Sequence, residues 1–217
     1  GSIDSVYFFD VTNPASIKLC DVEAGRVKGC INRDFQTYSH YAYAVSDQGK
    51  GSLQVFDLQY LPDSVHKVYD SDTLGFRTHT ICVYKNIMFM CLNNIASKGL
   101  LPMRVVSLAK PDSPAFLADF KAPIVGGNPL FDQIHDMIIV DDTAYLSCGN
   151  AGLFVYDFRN PLAPVYVNSL QVYPEKGYNH NSWKSNDKKH LIFTDENQGL
   201  GVKLYDISDP LLPRLKS

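Results

Sequence analysis

Leu153-Phe-Val-Tyr-Asp157 is one of five short segments that repeat along this chain at nearly constant spacing. The other four are Val6-Tyr-Phe-Phe-Asp10, Leu53-Gln-Val-Phe-Asp57, Met103-Arg-Val-Val-Ser107 and Val202-Lys-Leu-Tyr-Asp206. Their last residues are 47, 50, 50 and 49 positions apart. Self-similarity at a fixed period of this length is typical of repeat architectures. One structural unit is therefore expected to recur along the chain.

Each repeat carries the pattern of four short strands. The repeated segment is an apolar strand that ends in Asp, and a turn such as Asn160-Pro161 follows it. Asp at this place accepts hydrogen bonds from the turn backbone, and Pro both fixes φ and blocks extension of the ladder. Other apolar strands face each other across two polar residues, as Met137–Val140 and Thr143–Cys148 do across Asp141-Asp142. Four strands in about 49 residues predict one blade of an all-β propeller.

The phase of the repeat divides the single predicted domain into four full blades and an N-terminal half-blade. The half-blade covers 5–22, and the blades cover about 31–70, 77–120, 133–170 and 179–217. No residues remain for the two inner strands of the half-blade. The missing strands are expected from the remaining blades of a longer chain or from a second copy, because an unpaired blade edge is prone to aggregation.

Composition excludes several function classes. With 45% apolar and 20% charged residues the chain is a folded, soluble type, and its net charge of −3 gives no nucleic-acid surface. The longest apolar stretch, near Ile87–Leu92, is far shorter than the ~20 residues of a transmembrane helix. The sequence also lacks a Gly-x-Ser-x-Gly elbow, a phosphate loop and a nucleotide fingerprint.

One position recurs at the start of the innermost strands. Counting ten residues back from Tyr43, Phe89 and Tyr145 in the second strands gives Arg33, His79 and His135. His180 takes the same place before Phe193, with a slightly longer hairpin. Equivalent positions in successive blades are expected to point toward one axis at the mouth of the central channel.

Two interpretations of this position stay open. In the functional one, His79, His135 and His180 converge on a divalent metal, for which imidazole suits zinc, or on a small anionic ligand, and Arg33 binds an anionic group with its planar fork. Neighbouring Asp34 and Asp136 favour such a site. In the structural one, each histidine donates to a backbone carbonyl of the next blade and locks the contact between blades.

The loops on the same predicted face offer further candidates. Carboxylate and amide oxygens after the second strands, as in Asp195-Glu-Asn-Gln198, suit calcium, but none has the spacing of a defined calcium loop. Asp195 and Glu196 make a poor catalytic pair, because strand neighbours point to opposite sides. Tyr173, Tyr178 and Trp183 could form an aromatic platform for a ligand, or they pack the loop onto its blade.

Several of these runs resemble one protein family. Asn32-Arg-Asp-Phe35, Tyr41-Ala-Tyr-Ala-Val-Ser-Asp47 and Tyr178-Asn-His-Asn-Ser-Trp183 are similar to runs in choice-of-anchor B proteins, which contain LVIVD-type repeats, as is the ending Leu-Tyr-Asp-Ile-Ser-Asp-Pro210. The resemblance implies a propeller at the surface of, or secreted from, a bacterium, and it implies no defined activity. In that oxidising setting Cys20 and Cys30 could pair.

The sequence therefore predicts a secreted or cell-surface binding module that recognises a glycan, peptide or protein on its loop-bearing face. The alternative is a metal-dependent enzyme, a hydrolase or lyase, with the histidines as ligands of zinc or a similar divalent ion. Metal analysis of the purified protein distinguishes the two.

Overall fold

The computed structural model describes residues 4–209, 211 and 213–216 of the chain. The regular elements of that part are twenty β-strands, arranged in four four-stranded and two two-stranded sheets. Within the same residues there is no helix with the length and apolarity that crossing a membrane requires. Each large sheet joins strands that are consecutive in sequence. The predicted fold class, an all-β propeller built from four-stranded blades, is confirmed.

The chain divides after Ala118 into two compact units. The first unit opens with a two-stranded sheet of β1 (Ser5–Asp10) and β2 (Lys18–Ala24). The next blade consists of β3 (Arg33–Tyr38), β4 (Tyr41–Ser46), β5 (Leu53–Asp57) and β6 (His66–Ser71). The following blade consists of β7 (Thr80–Tyr84), β8 (Ile87–Ile95), β9 (Gly99–Ser107) and β10 (Ala115–Phe120).

The second unit begins with a small hairpin of β11 (Ile124–Val125) and β12 (Asn128–Pro129). Its first blade consists of β13 (Asp136–Val140), β14 (Thr143–Ser147), β15 (Leu153–Asp157) and β16 (Val165–Leu170). Its second blade consists of β17 (Asn179–Lys184), β18 (His190–Asp195), β19 (Lys203–Asp206) and β20 (Arg214–Leu215).

The first sheet contains two strands only, as the repeat phase predicts. Phe8 packs edge-on against Phe56 of β5, with ring centroids 5.4 Å apart, and buried Val6 belongs to the same apolar cluster. The opposite side of the sheet, called the open face below, is formed by four exposed apolar side chains: Tyr7, Phe9, Leu19 and Val22. One side of this sheet is thus core and the other meets solvent.

The strand-end aspartates make the turns that the sequence predicts. Each side chain accepts a hydrogen bond from the backbone N–H two residues on, at 2.9 Å for Asp10, Asp57 and Asp157 and 3.0 Å for Asp206. The bond from Ser208 holds the pKa of Asp206 at about 2. The last predicted turn runs on to Pro210, which lies outside the described residues.

The register of the second strands corrects one part of the predicted alignment. Tyr43, Phe89 and Tyr145 pair with Val55, Val105 and Val155 and are fully buried. In the last blade the equivalent pair is Ile192 with Leu204, so Ile192 and not Phe193 holds this position. The turn between β17 and β18 shifts the count, because Trp183 and Ile192 are 9 positions apart whereas the equivalent pairs of the other blades are 7 apart.

Candidate metal centre

The strand register places Arg33, His79, His135 and His180 at equivalent positions. In each blade, one residue of the inner strand pairs with the second-strand residue from which the position was counted. These pairs are Gln36 with Tyr43, Cys82 with Phe89, Ile138 with Tyr145, and Trp183 with Ile192. Arg33, His79, His135 and His180 each lie three residues before the inner-strand member of their pair. The first unit holds Arg33 and His79, and the second holds His135 and His180. The convergence of all four on one axis stays a prediction.

In the second unit, two of these histidines meet a glutamate. His180 Nε2 lies 3.8 Å and His135 Nε2 lies 4.0 Å from the same Glu196 carboxylate oxygen. The two imidazole rings have centroids 4.5 Å apart. One ligand atom from each residue falls within a span of 4.8 Å, and no other such group of three occurs among the described residues. Three donors from two neighbouring blades therefore share one small volume.

The protonation of the His135 ring is fixed by its backbone partner. His135 is 5% exposed, and its Nδ1 lies 3.0 Å from the carbonyl oxygen of His180. A carbonyl can only accept, so Nδ1 donates and carries the proton. In the neutral ring Nε2 then holds a lone pair, and this nitrogen is the one near Glu196. A hydrogen bond of this kind from the second ring nitrogen is the usual support of a metal-binding histidine.

This arrangement combines the two predicted roles in one residue. The bond from His135 to the backbone of the next blade is the structural lock, and the other ring nitrogen, Nε2, is the candidate ligand. The structural interpretation therefore does not exclude the metal interpretation at His135.

The sequence interpretation named Glu196 as a possible calcium ligand and as half of a poor catalytic pair, but not as a partner of the histidines. Glu196 directly follows β18, its side chain is 61% exposed, and its backbone N–H donates to the Tyr178 carbonyl at 2.8 Å. The neighbouring Asp195 side chain is completely buried, so the two carboxylates point to opposite sides as predicted. The missed signal was its place directly after the second strand, on the face that holds the recurrent histidines.

Tyr178 and Gln133 border the same site. The Tyr178 ring stands perpendicular to the His135 ring with centroids 5.4 Å apart, and Gln133 Nε2 donates to its hydroxyl oxygen at 3.0 Å. Burial raises the pKa of Tyr178, so the phenol stays protonated at neutral pH. A Cβ on Gly149 would lie 2.6 Å from both side chains, and the φ of Gly149 is +56°. Glycine is therefore required where this pair packs.

The first unit uses the same register position differently. His79 Nδ1 lies 2.7 Å from Asp47 Oδ2, which also accepts from Asn32 Nδ2 at 3.2 Å. Arg33 donates to the Val27 carbonyl at 2.6 Å, so its guanidinium ties down the preceding loop. The predicted anion contact of Arg33 stays a prediction.

The remaining predicted residues fall in three different settings. Asp34 accepts the Ile81 backbone N–H of the next blade at 2.7 Å, and burial raises its pKa. Asp136 begins β13 directly after His135. Trp183 is 71% exposed and pairs across the ladder with Ile192, whereas Tyr173 is 7% exposed and donates to Asp195. Because Tyr173 is buried, it offers no ring face to a ligand.

The thiols of Cys20 and Cys30 are not joined. Cys30 Sγ donates to the Asn32 carbonyl at 2.9 Å, and Cys20 is a separate thiol on β2. The disulfide that the family resemblance allowed is absent from this structure.

No protein-family model and no curated protein match the sequence. Among solved structures, the chain is similar to a protein assigned as a 6-phosphogluconolactonase from Bacteroides uniformis, with a TM-score of 0.72, 13% identity, and coverage of 100% of this chain and 64% of that one. The periplasmic gluconolactonase PpgL of Pseudomonas aeruginosa gives a TM-score of 0.69 and 13% identity, with 98% and 62% covered. The β-propeller domain of Swd1 from Myceliophteria thermophila gives 0.64 and 11%, with 100% and 66% covered.

The chain thus spans less than two thirds of the length of these lactonases. This comparison contradicts the prediction of a glycan-, peptide- or protein-binding module, because three of the most similar structures are described as lactonases. The alternative, a metal-dependent enzyme, agrees with them better. At 11–13% identity the likeness establishes the fold, and by fold this chain is a β-propeller.

Proposed function

We propose that this chain is a metal-dependent hydrolase that opens a cyclic ester, with His135, His180 and Glu196 as the metal-holding residues. The observation that carries the proposal is the meeting of these three donors within 4.8 Å. The gluconolactonase descriptions of two similar propellers support a lactone as the substrate class. Hydrolysis adds water across the ester bond, and the products are a carboxylic acid and a hydroxyl on one open chain.

The donor set fits zinc better than calcium. Two imidazole nitrogens and one carboxylate oxygen are the three-ligand set of catalytic zinc sites, which leave one position open, whereas calcium takes six to eight oxygens. In the neutral ring, His135 Nε2 carries the lone pair because Nδ1 donates its proton to a carbonyl. Exposed Glu196 can turn toward both rings without disturbing the core. When bound, zinc would lower the pKa of a coordinated water and polarise an ester carbonyl.

Tyr178 has the position and protonation state to bind the substrate. Its hydroxyl oxygen already accepts from Gln133, which leaves the hydroxyl proton to donate. A lactone carbonyl develops negative charge during attack, and a fixed donor stabilises that charge. Gln133 orients the phenol, and the raised pKa keeps its proton in place. Asp136 and Trp183 remain predicted contacts of the same substrate.

The location and the family are further parts of this proposal. A location outside the cytoplasm is supported by the periplasmic gluconolactonase among the similar structures and by the resemblance to surface-attached choice-of-anchor B proteins. The repeat that ends in Leu-Tyr-Asp supports membership of that LVIVD-repeat family.

Metal content and lactone hydrolysis test the proposal together. Purified chain loaded with zinc and then desalted is expected to keep one zinc per chain and to hydrolyse gluconolactone faster than buffer, with the activity lost to a chelator and restored by zinc. His135→Ala and His180→Ala should lose both properties. His66→Ala is the matched control, because His66 is an exposed histidine stacked on Tyr60 in the first unit. Zinc retention by the His135→Ala/His180→Ala double variant, or chelator-resistant hydrolysis, would contradict the proposal.

A further inference from the structure

Asp195 occupies the last position of β18, directly before the candidate ligand Glu196. Its side chain is 0% exposed and points away from the histidines into the blade. One carboxylate oxygen accepts from Tyr173 Oη at 2.9 Å and Asn179 Nδ2 at 3.3 Å. The other accepts from the Gly177 backbone N–H at 2.8 Å and Lys203 Nζ at 3.0 Å. Every side of this carboxylate is thus occupied by a donor.

These contacts join the two backbone segments that carry metal donors. Asn179 directly precedes His180 and pairs with Asp195 across the ladder. Gly177 belongs to the loop that leads into β17, and the next residue, Tyr178, accepts the Glu196 backbone N–H. Asp195 therefore fixes the loop before His180 against the strand end before Glu196. The β17–β18 ladder is irregular at this point, between Asn179 and Asn181. Strand pairing therefore constrains the backbone less here than in a regular ladder.

The charge of Asp195 is matched inside the blade. Lys203 is also buried, and its ammonium group is the only cation recorded against Asp195 among the described residues. Burial alone would raise the pKa of Asp195, but the bonds from Gly177, Lys203, Tyr173 and Asn179 hold it below its ordinary value. An amide at this position could satisfy only part of the set, since its NH₂ group would face another donor in either orientation.

We infer that Asp195 is a positioning residue of the metal centre, and that it sets the separation of His180 and Glu196 through Tyr173, Gly177 and Asn179. This inference rests on the proposed function, because it concerns the same centre. Asp195 itself touches neither metal nor substrate. It acts by holding the two ligand-bearing segments in one geometry, as outer partners of metal sites commonly do.

Zinc titration of the full chain tests this inference. Asp195→Asn is expected to weaken zinc binding about 10-fold or more, within the range for the loss of an outer partner. Cobalt-substituted protein should show a changed visible absorption band, which a purely structural loss would not produce in the folded fraction. Tyr173→Phe removes one bond and leaves the ion pair in place, so a loss of about 2–10-fold is expected.

The matched control lies in the first unit. Asp70 accepts from Ser52 Oγ at 2.6 Å and Gln54 Nε2 at 2.9 Å, a similar carboxylate network in a blade that holds none of the three donors. Asp70→Asn should leave zinc affinity within twofold. Normal zinc affinity in Asp195→Asn refutes the positioning role but not the metal centre. If Asp195→Asn does not fold, normal zinc affinity in Tyr173→Phe refutes the positioning role instead. Absence of zinc binding by the wild-type chain refutes the centre and this role together.

Discussion

His79 and His135 occupy the same register position of two inner strands, but their rings meet different partners. The Nδ1 of His79 contacts the Asp47 carboxylate at 2.7 Å, and the Nδ1 of His135 contacts the His180 carbonyl at 3.0 Å. Asp47 and Glu196 also correspond, because each directly follows the second strand of its blade. Asp47 binds the histidine of the following blade, whereas Glu196 lies near the histidines of its own and the preceding blade.

The difference shows what a repeat determines and what it leaves variable. The ladder fixes the place of each histidine directly before its inner strand, since the pairing is the same in both units. The residue after the second strand decides the chemistry. A short aspartate contacts one ring as a hydrogen-bond partner, and a longer, exposed glutamate lies near two rings. In consequence, similar repeats yield an interblade hydrogen bond in one unit and a three-donor cluster in the other.

The largest effect that separates the two regions should be on zinc affinity. His135→Ala is expected to lower it by more than about 100-fold, beyond the loss of an outer partner, because a direct donor is gone. His79→Ala should change it less than twofold, since His79 belongs to no group of three donors in the described residues. Isothermal titration with zinc measures both. An equal loss in the two variants would show that the histidines act together.

The free energy of unfolding should depend more on the first unit's carboxylate, Asp47, than on Glu196 of the second unit. Asp47→Asn weakens a short bond between partly buried groups and is expected to reduce the free energy of unfolding by about 1.5–3 kcal/mol, the range for a hydrogen bond to a charged group. Glu196→Gln alters an exposed side chain and should stay within about 0.5 kcal/mol. Urea unfolding of metal-free protein gives both values. If Glu196→Gln loses more free energy of unfolding than Asp47→Asn, then Glu196 and not Asp47 is the carboxylate with the structural role.

The pH dependence of stability should differ in sign between Asp34 and Asp206. Burial raises the folded-state pKa of Asp34, so Asp34 favours folding at low pH and this contribution is lost as pH rises through that pKa. The pKa of Asp206 is lowered to about 2, so its contribution is present above the unfolded value of 3.8 and is lost as pH falls toward 2.

Variants separate these two contributions. Asp34→Asn should gain stability relative to the wild type as pH rises from 3 to 6. Asp206→Asn should lose stability relative to the wild type as pH rises from 2 to 4. Thermal unfolding at a series of pH values measures both trends. Parallel curves for Asp34→Asn and the wild type would show that its carboxyl is not perturbed by burial.

The smallest effect is expected at Trp183. This side chain lies three residues after His180 but is 71% exposed on the outer side of the ladder. Trp183→Ser should leave zinc affinity within twofold and change gluconolactone turnover only if the indole contacts the substrate. A zinc loss as large as that of His180→Ala would mean that the tryptophan supports the centre.

The sequence predicted the blades because their physical causes are local. Apolar strands ending in Asp, turns with Pro and two-residue polar loops recur with one period, and each is a short-range preference. The register of His79 and His135 followed from the same count. These features needed no knowledge of which blades lie next to each other.

The site was less predictable because its contacts are not local. Glu196 reads as one acid in a polar loop until the histidines of two blades are brought beside it. Phe193 was misplaced because hydrophobic periodicity does not reveal how many residues the turn between β17 and β18 adds. The use of Arg33 on the Val27 carbonyl likewise depends on how one loop folds back.

The open face of the first sheet has a practical consequence for handling the protein. This face exposes four apolar side chains to solvent: Tyr7, Phe9, Leu19 and Val22. Phe56, the counterpart of Phe9 in the next blade, is fully buried. Ammonium sulfate strengthens apolar contacts by exclusion from protein surfaces. The chain should therefore bind phenyl resin and salt out early, and Phe9→Ser should elute at higher salt. Purification from low-salt buffer is the gentler route to the samples that the zinc titrations need.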